Sequence, residues 1–182
     1  MTRIVFITGQ PGIGKTSVLL NAIELLKKRG YTVGGMISRE ARERGVRIGF
    51  EIIDIYTGQH GWLAHVNQPE GPQVSKYRVN LDDLKTIGAN SILNAIEKTD
   101  AVVIDEIGPM ELFSLAFKEA VVRALESNKP LLGTIHHKAQ DTLINTIKKR
   151  EDAEILEVTH ENRNTLHNLI IDKILQSLRE KS

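Results

Sequence analysis

The sequence predicts an α/β protein whose open, mostly parallel β-sheet carries helices on both faces. Two observations predict this class. Apolar, β-branched stretches of strand length alternate with amphipathic helical segments along most of the chain, and a glycine-rich turn joins the first strand to the first helix. A third observation adds a β-hairpin near residues 31–55, which a minimal α/β sandwich would not contain. At 182 residues, the chain is interpreted as a single domain, 1–182.

The first half of the chain alternates between apolar strands and one long helix. Its glycines mark where elements end: Gly30 follows a basic last helical turn, and Gly45 separates two strands that pair as a hairpin. The predicted elements are a strand over 4–8, a helix over 17–28, a strand over 31–38, a charged connection over 39–44, a strand over 46–55, and a long loop over 56–76 with a short strand at 61–66.

The second half repeats the alternation of helix and strand. Asn80 and Asp83 indicate a helix start, because Asn is a favoured N-cap and an acid suits the first turn. Phe113 and Phe117 are assigned to the apolar face of a later helix. The predicted elements are a helix over 80–98 that is interrupted near Gly88, a strand over 101–105, a helix over 112–127, a strand over 130–135, a helix over 141–149, a strand over 154–158 and a helix over 162–179.

The turn after the first strand carries a phosphate-binding motif. The residues fit G-x-x-x-x-G-K-[ST], the Walker A pattern, and they lie between a predicted strand and a predicted helix, as that motif requires. Glycines let the backbone N–H groups approach a phosphate, and the following helix directs its positive end there. The predicted nucleotide-binding residues of this loop are Gly9, Gln10, Pro11, Gly12, Ile13, Gly14, Lys15 and Thr16. Lys15 is expected to reach the β- and γ-phosphates, and Thr16 to ligate Mg²⁺.

A second strand ends in two acids and completes a candidate catalytic site. The apolar run 101–104 leads into Asp105 and Glu106, a Walker B pattern. Asp105 is the predicted Mg²⁺ ligand through water, and Glu106 the predicted base that orients or deprotonates the attacking water. The remaining nucleotide-binding residues assigned to this strand end are Val103, Ile104, Ile107 and Gly108.

Other polar residues are assigned around the γ-phosphate. Thr134 and His136, at the end of the strand over 130–135, are expected to lie near it. A cation should stabilise the transition state. Arg150 is the first choice as this catalytic residue, beside Lys15, with Arg163 and Arg39 as alternatives.

Composition excludes several classes of protein. A net charge of +1 does not provide the basic excess of a general nucleic-acid binder, so nucleic acid is not an expected partner. The absence of cysteine rules out disulfides and thiolate metal sites and suits a reducing cytoplasm. No signal peptide or membrane-length apolar run is visible, so no membrane partner is expected. Oligomeric state is left open, with a monomer slightly favoured.

Taken together, these motifs resemble the small P-loop nucleoside-triphosphatases known from thermophiles, with a human cancer-related member. The resemblance implies a RecA-like fold with one strand between the acid-pair strand and the P-loop strand. It also implies Mg²⁺-dependent hydrolysis of nucleoside triphosphates, ATP and GTP among them, to the diphosphate and phosphate. Besides the P-loop, the segments that carry the resemblance are 47–50, 76–81, 105–113, 132–135 and 158–164.

Two other functions stay open at this point. The first is a P-loop kinase for a nucleoside, nucleotide or other small acceptor, in which Glu106 takes the acceptor's proton and residues 56–80 cover a second pocket. The second is a slow switch linked to nucleic acid, supported by the basic stretch 39–47. Glu40 and Glu43 lie within that stretch, which favours a solvated hairpin tip instead. Base preference and physiological substrate are not readable from the sequence.

Overall fold

The computed structural model describes residues 1–180, and a nine-stranded sheet lies at its centre. The last two residues of the predicted domain lie outside the described residues. The order of strands across the sheet is β5-β6-β4-β3-β2-β7-β8-β1-β9. The strands are β1 (Ile4–Thr8), β2 (Val33–Glu43), β3 (Val46–Asp54), β4 (His60–His65), β5 (Gln73–Val74), β6 (Tyr77–Val79), β7 (Ala101–Ile107), β8 (Leu131–Ile135) and β9 (Ala153–Glu157).

Helices cover both faces of this sheet. The α-helices are α1 (Lys15–Lys28), α2 (Leu81–Asp83), α3 (Asn90–Lys98), α4 (Leu115–Glu126), α5 (Thr142–Lys148) and α6 (Leu166–Arg179). One apolar core packs α1 and α6 against the sheet, and a second packs α3, α4 and α5 against the opposite face. The predicted α/β class is confirmed. No helix in residues 1–180 is long and apolar enough to cross a membrane.

Five parallel strands position the predicted site. β8 pairs in parallel with both β1 and β7, so one strand separates the P-loop strand from the acid-pair strand, as the RecA-like resemblance implied. β9 pairs in parallel with β1 on its other side, and β2 pairs in parallel with β7. The carboxyl ends of all five strands therefore meet at one edge of the sheet, where ligands bind in folds of this type.

The predicted hairpin is present, but it is longer than the sequence indicated. The stretch 39–44, predicted to be a charged connection, continues β2 to Glu43 and pairs with β3, and the turn lies at Arg44 and Gly45. The charged side chains of this hairpin, residues 39–47, do not interrupt the strands. They form ion pairs across or along them, as between Arg47 and Glu40. At the other end of β2, a Cβ on Gly35 would stand 2.0 Å from the carbonyl oxygen of Val103, so only glycine permits this approach to β7.

The loop predicted over 56–76 and the helix predicted over 80–98 are both more structured than expected. β4 matches the short strand predicted at 61–66, whereas β5 was not predicted, and with β6 these strands extend the antiparallel half of the sheet. The helix does start at the Asn80 cap, whose side-chain oxygen accepts a hydrogen bond from the Asp83 N–H at 3.0 Å. It widens to a π-helical segment over Leu84–Ala89, around Gly88, without a break in the helical path.

Phe113 does not lie on the apolar face where the sequence placed it. The chain over Glu111–Phe113 forms a 3₁₀ turn, and α4 begins two residues after this turn at Leu115, capped by the Ser114 hydroxyl. This change of helix type rotates Phe113 outward, where it is 52% exposed, whereas Phe117 is fully buried as predicted. The same turn buries Glu111, which becomes important at the site.

Candidate active site

The P-loop connects β1 to α1 with the backbone geometry that phosphate binding requires. Gly12 and Gly14 adopt φ angles of 77° and 112°, which are strained for any residue with a side chain. The first N–H groups of α1 lack partners within the helix and point toward the loop's concave side. The Lys15 ammonium donates a 2.7 Å hydrogen bond to the Gly9 carbonyl, which holds its charge over the loop.

Asp105 lies at the carboxyl end of β7, with only one of its carboxylate oxygens in a hydrogen bond. The Thr134 hydroxyl, from the end of neighbouring β8, donates to Asp105 Oδ1 at 2.6 Å. Oδ2 is buried and has no hydrogen-bond partner among residues 1–180. Burial raises the pKa of Asp105 to about 6, although Thr134, the nearby Ser38 N–H and the Lys15 charge all act to lower it.

Glu106 and Glu111 bring two further carboxyl groups to the same place. A Cβ on Gly108 would stand 2.9 Å from Glu106 Oε1 and 3.1 Å from Glu111 Oε2, so these two oxygens are at most about 6 Å apart. Burial, together with the charge of Asp105, raises the pKa of Glu106 to about 7. Complete burial and the charge of Glu106 raise the pKa of Glu111 well above its ordinary value. Glu106 therefore titrates near neutral pH, and burial favours the protonated form of Glu111.

A single cavity of about 580 Å³ joins the P-loop to these acids. The side chains that meet there come from four parts of the fold: the P-loop, the end of β7 with the following turn, the residue after β8, and the antiparallel strands β2 to β5. The charged and hydroxyl side chains that line the cavity include Lys15, Thr16, Arg39, Asp105, Glu106 and Glu111. A phosphate chain on the P-loop would thus have the acids at one of its ends.

Comparison with known proteins agrees with this geometry. A family model described as NTPase matches residues 4–171, which is most of the chain. The chain belongs to this NTPase family. A nucleoside-triphosphatase THEP1 of Thermofilum pendens is 46% identical over 161 residues, 88% of each chain, and that of Methanosarcina acetivorans is 45% identical over 98% of this chain and 99% of its own.

Solved structures of similar proteins show the same fold. A human cancer-related nucleoside triphosphatase superimposes with a TM-score of 0.83 at 36% identity, covering 97% of this chain and 99% of its own. THEP1 from Aquifex aeolicus superimposes with a TM-score of 0.81 at 26% identity, covering 94% and 98%. The NTPase fold therefore extends over almost the whole chain, antiparallel arm included.

The residues of this candidate site fit a magnesium ion. Asp105 Oδ2 is a buried carboxylate oxygen without a partner, which is costly unless a cation or a bound water satisfies it. The Thr16 hydroxyl faces the same cavity. No group of three or more Asp, Glu or His side chains in the described chain could hold a metal by itself. Mg²⁺ commonly binds through one or two protein ligands together with substrate phosphates and water, so this sparse set is suitable.

Arg150, the predicted transition-state cation, lies away from the candidate site. Its guanidinium donates to Asp152 Oδ1 at 2.8 Å, and Asp152 comes directly before β9, at the amino end of the parallel strands. The P-loop follows the opposite, carboxyl end of β1. Because α5 leads from the carboxyl end of β8 back to the amino end of β9, Arg150 lies at the edge of the sheet opposite the P-loop, and its predicted position near the phosphate is wrong.

The other predicted residues divide into those around the cavity and those behind it. Lys15, Thr16, Asp105, Glu106 and His136 line it, together with Pro11 and Gly12. Thr134 lies beneath Asp105. The side chains of Val103, Ile104 and Ile107 are fully buried in the two cores, so they position the strand end without facing a ligand. Glu111 was missed as a site residue, because a lone acid after a turn gives no signal until the 3₁₀ turn folds it inward.

Proposed function

We propose that this protein hydrolyses nucleoside 5′-triphosphates, ATP and GTP among them, to the diphosphate and phosphate in a Mg²⁺-dependent reaction. The observation that carries the proposal is the pair Asp105 and Glu106 facing the Lys15–Thr16 end of the P-loop across one cavity. The names of the THEP1 relatives, nucleoside-triphosphatases at up to 46% identity, support the same reaction.

In this proposal, the P-loop binds the triphosphate and neutralises its charge. Backbone N–H groups at the start of α1 and the Lys15 ammonium contact the β- and γ-phosphates, so charge that develops on the leaving diphosphate is stabilised where it forms. Thr16 and, through water, Asp105 hold Mg²⁺. When bound, the ion supplies Lewis-acid stabilisation of the phosphate oxygens.

Glu106 is the residue that handles the proton. As a carboxylate, it accepts a proton from a water molecule whose oxygen bonds to the γ-phosphorus, while the bond from that phosphorus to the β–γ bridging oxygen breaks. Its raised pKa, about 7, makes it a stronger base than an ordinary glutamate and leaves a large ionised fraction at neutral pH. Burial favours the protonated form of Glu111, which limits the negative charge beside Glu106.

Lys15 takes over the role first assigned to Arg150. The Gly9 carbonyl holds the Lys15 ammonium over the P-loop, whereas Arg39, although it lines the cavity, is engaged by Glu51 in an ion pair. Arg39 could act on the γ-phosphate only after leaving Glu51. Lys15 is therefore proposed as the catalytic cation.

The kinase alternative is not favoured, because the relatives are named as nucleoside-triphosphatases. The nucleic-acid switch stays a hypothesis. Against it, the charges of the 39–47 arm pair with one another, as Arg42 and Arg47 do with Glu40. The proposal places the reaction in the cytoplasm, in agreement with a cysteine-free sequence.

A substrate screen tests the function. Purified protein is incubated with each common nucleoside triphosphate, with Mg²⁺ or with a chelator, and released phosphate is measured. We expect Mg²⁺-dependent release from several nucleotides and a large loss in Lys15→Ala, with Lys28→Ala at the far end of α1 as the matched control. Absence of release from every triphosphate, or equal release by Lys15→Ala, would contradict the proposal.

A further inference from the structure

The orientation of a bound triphosphate follows from the strand order, given the proposed function. The γ-phosphate must lie beside Asp105 and Glu106, which end β7 on one side of the P-loop strand β1. The phosphate chain crosses the P-loop, so its other end leaves on the opposite side. That side belongs to β9 and the segment after it. The nucleoside is therefore expected against the segment 158–165.

This segment is packed tightly onto the P-loop. The Val158 N–H donates to the Thr8 carbonyl at 2.8 Å, and a Cβ on Gly9 would stand 3.0 Å from the Val158 carbonyl oxygen. Within the segment, Asn162 fixes the path: its Oδ1 accepts from the Thr159 N–H, and its Nδ2 donates to the Glu157 carbonyl, both at 2.8 Å. The segment is thus a built wall beside the loop.

Arg163 extends from this wall over the P-loop. Its Cδ lies 3.9 Å from where a Cβ on Gly14 would stand, while its backbone N–H is tied to the Thr159 carbonyl at 3.0 Å. The side chain is exposed, and within residues 1–180 its guanidinium has no ion pair or hydrogen bond. Arg163 differs in this respect from Arg39 and Arg47, the two arginines that line the cavity, because each of those two forms an ion pair with a glutamate.

We propose that Arg163 packs its guanidinium against the base of the bound nucleotide and binds it without reading which base it is. A planar, delocalised guanidinium stacks on the face of any aromatic ring. Stacking uses no hydrogen bonds to the base edge, so one arginine can serve purine and pyrimidine nucleotides alike. This inference rests on the proposed function and explains how one site would accept several triphosphates.

Binding to products separates the base contact from the phosphate contacts. Affinities of wild type and Arg163→Ala are measured by calorimetry for MgADP, MgGDP, MgCDP, MgUDP and Mg-pyrophosphate. We expect Arg163→Ala to bind each of the four nucleoside diphosphates roughly three- to thirtyfold more weakly than wild type does, and to bind pyrophosphate with the same affinity. Arg29→Ala, an exposed arginine at the other end of α1, is the control and should bind all five ligands as wild type does.

Each other outcome overturns the inference. Equal weakening of pyrophosphate would make Arg163 a phosphate ligand, weakening of one nucleotide only would make it a reader of the base, and unchanged diphosphate affinities would remove it from the site. Failure of the wild type to bind any nucleoside diphosphate would overturn the placement as well. Absence of hydrolysis alone would contradict only the proposed function, since these affinities need no turnover.

Discussion

The Thr134 hydroxyl and Asp105 Oδ1 are joined by a 2.6 Å hydrogen bond that links the ends of β8 and β7. The bond satisfies one carboxylate oxygen and leaves Oδ2 buried without a partner among the described residues. It also favours the ionised form of Asp105 against the effect of burial, which raises its pKa to about 6. Thr134 thus prepares Asp105 to act as a metal ligand.

Thr134→Val should weaken Mg²⁺ binding, so the reaction should need a higher Mg²⁺ concentration. Without the hydroxyl, the pKa of Asp105 rises further and the carboxylate that holds the ion is less populated. Loss of a hydrogen bond to a charged group costs about 1.5–3 kcal/mol, so the half-saturating Mg²⁺ concentration should rise roughly tenfold or more. The measurement is a Mg²⁺ titration of phosphate release.

Thr99→Val is the matched control for this titration. Thr99 is buried like Thr134, but its hydroxyl donates only to the carbonyls of Ala95 and Ala101, away from the site. The Thr99→Val protein should be less stable than wild type but should keep the wild-type half-saturating Mg²⁺ concentration. A Thr134→Val enzyme with the wild-type Mg²⁺ dependence would separate Thr134 from the metal site.

The pH dependence of hydrolysis should report Glu106. A base must be ionised, and burial with the charge of Asp105 raises the pKa of Glu106 to about 7. kcat/KM should therefore fall about tenfold per pH unit below about pH 7 and level off above it. Because the substrate also titrates in this range, the residual activity of Glu106→Gln gives the control profile. Two profiles of the same shape would mean that Glu106 is not the titrating group.

Glu111→Gln should make the nucleotide-free protein more stable in alkaline solution. Complete burial raises the pKa of Glu111, so the folded state holds a proton that the unfolded state releases. Its contribution to stability is complete below the unfolded pKa, about 4.3, and declines as pH rises toward the folded pKa. Each pH unit in this window is worth up to about 1.4 kcal/mol.

Thermal unfolding at about pH 5 and pH 8 measures this effect. The melting temperature of Glu111→Gln should exceed that of wild type by several degrees at the higher pH and by much less at the lower. Glu119→Gln, an exposed glutamate in α4, should show no such gap. A Glu111→Gln protein less stable than wild type at pH 8 would mean that the ionised carboxylate is the form the fold needs.

Local patterns predicted the parts of this site that are local in sequence. The P-loop and the acid pair each lie within one short segment, and parallel strands bring their ends to one edge, so their meeting across one cavity follows from the alternation of elements. The helix predicted over 141–149 is present as α5, but Arg150 was misplaced because a helix that follows a parallel strand runs back to the amino edge of the sheet, so the residues after it lie opposite the site. The burial of Glu111 depends on a 3₁₀ turn, and the extension of β2 depends on cross-strand ion pairs. Only the tertiary structure reveals these two features.

The most direct measurement compares nucleotide binding and turnover in Glu106→Gln. Affinity for MgATP and single-turnover phosphate release at saturating nucleotide are measured in wild type and variant. The proposal predicts an affinity within a few-fold of wild type and a release rate lower by about 10²–10⁴-fold, the contribution typical of a general base. Wild-type release by Glu106→Gln would contradict the assignment of the catalytic base, and with it the proposed mechanism.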